Sequence, residues 1–507
     1  MSRRSRGFGI FVMSAVCAAF VTTSAQARDL RIGIRADPDI LDPAQGGSVA
    51  GRLVFASLCD KLIDTTPEGT FRPQLATAWD WSEDNRSLTL KLRPDVKFHD
   101  GTALDAAAVK TNLDRYRSDP ISRRQTELKS IASVEVVDPL TVRIDLAQPD
   151  APLVAALADR AGMIMSPKAL ADAGEDIGLN PVCAGPFKFV ERVSQDFIRL
   201  EKFDEYWNSG EIFLDGVTFL PIPDDSIRLL SLRSGDLDMI ERVAPTDIKA
   251  VEDDAGLTLV RGPSVAYDLI SINVANGEKA QNPLGQDARV RRAFELSIDR
   301  NVLNQVVYNG LFVPSNQHEV PGSQYYDATH PVPDRDVEAA KALLADAGIP
   351  NPSFTLNVAN SSTSQQIGEI VQAMAAEAGF DVKLEALESS TMASRADAGD
   401  YQASLVIWSG RPDPDANVAP WASCDGFLNW GKYCDPALDA ILKQAREITD
   451  PTMRSDLYQK AVAIYTTANP HIVMYHYTSL FGLRNDVTGF VAYPDSLIRL
   501  QGVKNAA

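Results

Sequence analysis

Between residues 354 and 387 the chain spells out a strand, a helix and a second strand. Residues 354–358 read as a strand, 365–378 carry apolar residues at helical spacing and stop at Gly379, and 381–387 read as extended. Strand–helix–strand order implies a parallel α/β layer. The flanking sequence has the same texture. Asp287 caps a helix over 288–298, and 337–347 is an amphipathic helix stopped by Gly348 with Pro350 behind it. Residues 401–408 read as a strand, 438–447 and 453–466 as helices, and 472–477 as a last strand.

The first half is more broken. Residues 30–34 alternate as a strand, and Asp42-Pro43 and Gly46-Gly47-Ser48 make a loop before an apolar helix that ends near Leu62. A strand at 88–92 and a hairpin turning at Asp138-Pro139 mark the block 70–180 as a smaller α+β insertion. A breaker-rich loop over 180–186 precedes two strands, near 187–190 and 197–200. Ser226 is the expected N-cap of a helix ending at Gly235, and 269–274 is a further strand. A chain of 507 residues is too long for one core, so two or three domains are expected.

Charge narrows the partners. The formal net charge of −19 argues against nucleic acid and against adhesion to anionic lipid. The N-terminus reads as an export signal: Arg3, Arg4 and Arg6, an apolar stretch over 10–21, and the small-x-small site Ala25-Gln26-Ala27. Twelve apolar residues fall short of the roughly 20 that span a bilayer. Val16 is too bulky to precede a lipid-modified Cys17, so cleavage between Ala27 and Arg28 is expected, giving a free periplasmic protein of net charge about −22. Cys59, Cys183, Cys424 and Cys434 remain, an even count that permits disulfides in an oxidising compartment. None lies in a C-x-x-C pair, and no metal or cofactor is implied.

Four segments carry a resemblance. The first is Leu75-Ala76-Thr77-Ala78-Trp79 with Leu90-Lys91-Leu92-Arg93 and Phe98-His99-Asp100-Gly101. The second is Gly185-Pro186-Phe187-Lys188-Phe189 with Tyr206-Trp207 downstream. The third is Val290-Arg291-Arg292-Ala293-Phe294-Glu295-Leu296-Ser297-Ile298-Asp299-Arg300, and the fourth Ala339-Ala340-Lys341-Ala342-Leu343-Leu344-Ala345-Asp346-Ala347-Gly348. In this order and spacing, across nearly the whole mature chain, they resemble solute-binding protein family 5, the dipeptide, oligopeptide and nickel-binding proteins of ABC transporters. The resemblance implies an α/β, two-lobed periplasmic binding protein of type II, cluster C-like. It implies two hinge crossings and a small α+β domain inserted in lobe one. Mapped here, lobe one is 28–272 plus 479–507 with the insertion near 70–180, and lobe two is 273–478. The first crossing follows Ile270-Ser271-Ile272-Asn273 and the second follows His476-Tyr477. The implied function is capture of a small peptide or peptide-like solute in the inter-lobe cleft and delivery to permease subunits in the inner membrane, by a monomer that is not an enzyme. Relatives also imply a Cys424–Cys434 bridge beside the turn-rich Asp425-Gly426-Phe427.

Candidate ligand contacts cluster in Trp408-Ser409-Gly410-Arg411-Pro412-Asp413-Pro414-Asp415, at the end of an apolar strand where α/β layers bind ligands. Dipeptide-binding relatives supply from this loop a carboxylate for the ligand's amino group. Without a gap Arg411 stands there; with one, Asp413 or Asp415 does. Relatives also place an arginine soon after the strand at 354–358, where this chain has Asn360-Ser361-Ser362-Thr363-Ser364. A cation at Arg411 selects an anionic group, unless Arg411 merely pairs with Asp413 or Asp415 in a solvated turn. Trp430 and Tyr267 are candidate aromatic walls, and Gly46, Gly47, Ser48 and Gly185 are loop positions whose backbone could reach a ligand. Rival ligands are an opine, an oligosaccharide or a chelated metal. The last is disfavoured because His471 and His476, five apart on a strand, should face opposite sides. The rival from another class is a secreted hydrolase using Asp413 and Asp415 as acid and base.

Overall fold

The computed structural model describes residues 29–506, so the export signal and its cut after Ala27 lie outside the described residues. Two long strands, Leu257–Ile272 and His471–Arg484, organise the molecule. They pair antiparallel over most of their length. Residues 257–263 pair with 478–484, and Met239–Glu241, Asp29–Ile34, Gly216–Pro221, Phe197–Lys202 and Phe187–Val193 extend the sheet from there. Residues 267–272 pair with 471–476 and are flanked on the other side by Ala403–Trp408, Ser353–Ala359 and Asp381–Leu387. The 11-stranded sheet is therefore two half-sheets that share two strands. Pairing lapses between Pro263 and Tyr267 and resumes with Tyr267 opposite His476. Proline has no N–H for the ladder, which explains a break at this point. The sequence reading set the first passage after Asn273, at the strand's end; the exchange of partners falls earlier, between Pro263 and Tyr267.

In the second half-sheet Ser353–Ala359 and Asp381–Leu387 run parallel, joined by the helix Ser362–Glu377 with Ser361 as its N-cap. Ile367, Val371 and Ala375 of that helix pack on Leu356, Val358 and Val382 in one core. The first half has its own core, in which Leu30, Ile32 and Ile34 meet Leu53, Val54 and Phe55 of the helix Val49–Leu58. A third core fills a separate four-stranded antiparallel sheet, Ala76–Trp81, Ser87–Leu92, Thr141–Leu146 and Ile131–Asp138, covered by the helix Ala106–Ser118. Disulfides join Cys59 to Cys183 and Cys424 to Cys434. Among the described residues no helix is long and apolar enough to cross a membrane.

Two local expectations are corrected. Asp224, not Ser226, caps the helix Asp225–Ser234: its carboxylate accepts the Ile227 N–H at 2.9 Å, so the helix starts before Ser226. His471 and His476 do not face opposite sides. Val473 lies opposite Leu269 and Tyr475 opposite Asp268, so Met474 is a bulge that shifts the alternation by one residue. His476 then packs on Tyr267 at 5.4 Å and His471 on His318 at 5.8 Å, with His318 itself 5.5 Å from Tyr267.

Candidate functional site

The strand Ala403–Trp408 ends at the boundary between the half-sheets, and the loop that follows is tightly fixed. Gly410 has a φ of +69°, and a Cβ there would lie 2.1 Å from the Val265 carbonyl oxygen, so only glycine fits beneath the lapse in the long strand. Asn417, on the next helix, holds the loop from inside. Its side-chain Oδ1 accepts from the Arg411 N–H at 2.8 Å and from Trp408 Nε1 at 3.2 Å. Its Nδ2 donates to the Arg411 carbonyl and to Glu319, each at 2.9 Å.

The two loop carboxylates are committed elsewhere. Asp413, buried, takes a two-pronged ion pair from Arg454 at 2.7 and 2.8 Å. Asp415 lies 3.0 Å from Arg446, which also donates to Asp150 at 2.9 Å. The expected solvated turn with Arg411 as partner is thus corrected: the aspartates are buried and paired with arginines of later helices. The acid–base pair of the hydrolase reading loses its free carboxylate in the same way. Burial pushes the Asp415 carboxyl up to about 6 and that of Glu319 up to about 8, the Asn417 hydrogen bond pulling Glu319 the other way.

Arg411 has no carboxylate within 4.0 Å among the described residues. Its Nη1 donates to Ser409 Oγ at 2.9 Å and to the Gly410 carbonyl at 2.6 Å, and its guanidinium lies 5.2 Å from the Trp408 ring. Burial holds it below its usual range, and Arg52 of the first half pushes the same way, against Asp159 and Glu127. The facing wall is rich in arginine. Arg52 pairs with Asp159 at 3.0 Å, and Arg124 with Glu127 at 2.7 Å. Arg160 and Arg124 both donate to the Gly46 carbonyl, at 2.9 and 3.4 Å. These three arginines come from a helix and two turns far apart in sequence. No local motif marks them, and sequence reasoning missed them.

The glycine loop holds this wall in place, which differs from its expected role. The Gly47 and Ser48 N–H groups are taken by Asp39 and the Gly46 N–H by the Asp42 carbonyl, so these donors do not reach a ligand. Asp42 in turn receives two hydrogen bonds from Arg115. Gly185 is likewise internal: its N–H donates to Leu58, its carbonyl meets His99, and a Cβ would sit 2.4 Å from the Leu58 carbonyl oxygen. Tyr267 is fully buried with its hydroxyl on the Asn417 carbonyl, so it supports the site rather than lining it. Trp408 and Trp430 are half-buried and both pack edge-on against Trp421. Beside the loop, a cavity of about 750 Å³ opens between Trp79 and Trp81 of the four-stranded sheet and Glu319, Tyr325, Pro412 and Asp413 of the second half.

The groups that meet between the half-sheets are guanidinium groups and locked carboxylates, equipment for holding a solute. A two-lobed α/β protein of this kind is by class a solute-binding protein. The comparisons agree. The model of the family described as bacterial extracellular solute-binding proteins, family 5 Middle, matches residues 70–429. The glutathione-binding protein GsiB of Pectobacterium atrosepticum is 31% identical over 507 residues, 97% of each chain. Among solved structures, AgaA from A. tumefaciens R10 in complex with agropinic acid is 26% identical, with a TM-score of 0.77 over 94% of this chain and 98% of that one. DppA from Helicobacter pylori in complex with the peptide STSA is 25% identical, with a TM-score of 0.77 and the same coverage. The chain belongs to solute-binding protein family 5.

Proposed function

We propose that this protein is the periplasmic solute-binding component of an ABC importer, that it captures a small acidic peptide or peptide-like solute between its lobes, and that it has no catalytic role. The lobes are residues 29–263 with 478–506, and 267–476, and the four-stranded unit is set into the first. The two long strands act as the hinge where their pairing lapses. Closure over the solute creates the shape that permease subunits in the inner membrane recognise.

The observation that carries the reading is Arg411, a half-buried guanidinium on a rigid loop with no carboxylate of its own. A guanidinium offers paired donors that match a carboxylate, and a closed cleft shields that pairing from water. Similarity to a protein named for binding glutathione, an acidic tripeptide, and to one solved with a tetrapeptide supports a peptide-like ligand. The AgaA complex makes an acidic opine the second reading, since it presents the same carboxylate chemistry.

Titration calorimetry of the wild type and Arg411→Ala tests this, using glutathione and two analogues that each lack one carboxylate. Losing the charge-assisted contact should cost about 1.5–3 kcal/mol, roughly ten- to a hundredfold in affinity. Arg411→Ala should also stop discriminating against one of the analogues. If wild type and variant bind all three compounds alike, Arg411 is not the anchor. Tight binding of agropinic acid with no binding of the tripeptides would favour the opine.

A further inference from the structure

The arginines of the first lobe hold more positive charge than the chain neutralises. Arg160 is 5% exposed, yet no carboxylate lies within 4.0 Å of it among the described residues, and its Nε is buried without an acceptor. Its Nη1 reaches only the Gly46 carbonyl, at 2.9 Å. Arg124, 3% exposed, sends Nη2 to the same oxygen and also buries an Nε without an acceptor. Two guanidinium groups thus converge on one carbonyl oxygen. Arg52 sits beside them on Asp159, the neighbour of Arg160 in sequence. With Arg411 the cluster has four cations facing two carboxylates, Asp159 and Glu127, while a third, Asp495, acts on Arg52 but is held by Arg499, in a chain whose net charge is −19. A buried cation without a counterion is strongly destabilising, and such a cost persists where function requires it. Burial and the nearby arginines pull Arg160 down to about 10, with Asp159 opposing.

We propose that Arg52, Arg124 and Arg160, together with Arg411 across the cleft, form one anion-binding pole that takes a solute bearing two negative groups, one gripped from each lobe. The proposal rests on the reading of the cleft as the binding site. It goes further in naming a ligand with two carboxylates and in giving closure a driving force. Bringing Arg411 up to three guanidinium groups that share two carboxylates leaves a net repulsion, stronger as the cleft dries. Two carboxylates placed between them turn that repulsion into attraction from both sides, so closure follows binding of the right solute. A solute with one carboxylate or none leaves part of the repulsion in place, which disfavours wrong ligands as well as favouring the right one.

The test uses Arg160→Met, Arg411→Ala and the wild type. The probes are glutathione, its glycyl amide, and 4-aminobutyryl-cysteinyl-glycine, which lacks the carboxylate at the other end. Wild type should prefer glutathione over each single-acid analogue by about ten- to a hundredfold. Each variant should lose one of those two preferences, and not the same one. Without ligand, Arg160→Met should melt at or above the wild type, because it removes an unpaired buried cation. A second arm measures protection against heat by succinate, a plain dicarboxylate, which should raise the wild-type midpoint more than that of Arg160→Met. If both variants are blind to the same carboxylate, or Arg160→Met keeps both preferences, the two-ended pole is wrong. A lower midpoint with unchanged selectivity overturns it too, since Arg160 is then a structural residue. If no tripeptide binds but succinate protection depends on Arg160, the pole stands and the peptide reading falls. If neither tripeptide nor succinate depends on Arg160, the pole is overturned.

Discussion

Replacing Arg446 by methionine should weaken ligand capture while each lobe stays folded. Arg446 lies on the helix Pro436–Glu447 and ties Asp415, beside the Arg411 loop, to Asp150, beyond the four-stranded sheet, at 3.0 and 2.9 Å. The pair therefore bridges the lobes. A charge-assisted contact contributes about 1.5–3 kcal/mol, so the hydrogen bond to Asp150 and the ion pair to Asp415 together set an upper figure of ~6 kcal/mol. Two effects reduce it. The Arg446 side chain is 32% exposed, which lets water screen it, and the Asp415 carboxyl, already pushed up to about 6, takes a proton when the cation is lost. About 2 kcal/mol remains, a factor of about thirty in the balance of closed and open forms. Neighbouring contacts persist, among them Ala151 N–H to the Arg446 carbonyl at 2.8 Å and Thr449 to Asn85 at 3.0 Å, so closure is weakened rather than abolished. Calorimetry with glutathione should show the thirtyfold loss. Small-angle scattering should show that the saturated variant reaches the same compact radius as the wild type, at higher ligand concentration. Affinity within about threefold of the wild type would mean that the Asp150–Arg446–Asp415 chain does not couple to closure, and the magnitude argued above would be refuted.

Other outcomes follow from the same geometry. The Cys59–Cys183 bridge closes a 124-residue loop, so Cys59→Ser with Cys183→Ser should lose about 4–5 kcal/mol in denaturant unfolding, and peptide mapping without reductant should recover both bridges. Equal unfolding midpoints would remove the first claim, and free thiols at Cys424 and Cys434 the second. Glu319, raised to about 8 from 4.5, contributes stability in full below pH 4.5 and loses it as pH rises through about 8. The urea midpoint should therefore fall between pH 5 and pH 8.5 and fall less in Glu319→Gln; parallel pH curves would count against a buried neutral Glu319. Intact mass of the exported protein should begin at Arg28, and an uncut chain or a lipid on Cys17 would contradict that reading.

Much of the second half was legible because its helices carry their own boundary signals. Asp287 caps Ala288–Ser297, and Gly348, with φ +72°, follows the helix Val337–Asp346, as their residue types imply. The long strands were not legible as single elements. Only 269–274 is expected as a strand, yet the strand begins at Leu257 and runs through Gly262 and Pro263, because the neighbouring half-sheet picks it up at Tyr267. The Met474 bulge was invisible for a related reason: alternation assumes an unbroken ladder, and one extra residue reverses every side chain after it. The position of Arg411, on a loop fixed by glycine at the end of an apolar strand, was legible from that pattern. The partners of Asp413 and Asp415 lie on helices further along the chain, and Arg454 is 41 residues from Asp413. The arginine wall was illegible because Arg52, Arg124 and Arg160 meet only through the Gly46 carbonyl and Asp159, contacts that only the folded chain makes.

Native mass spectrometry of the protein purified from the periplasm without refolding tests the central claim most directly. The account predicts a one-to-one complex whose ligand, released by denaturation, is a small peptide-like compound with two acidic groups. A retained neutral oligosaccharide, a metal chelate or a dipeptide with a single carboxylate would contradict it.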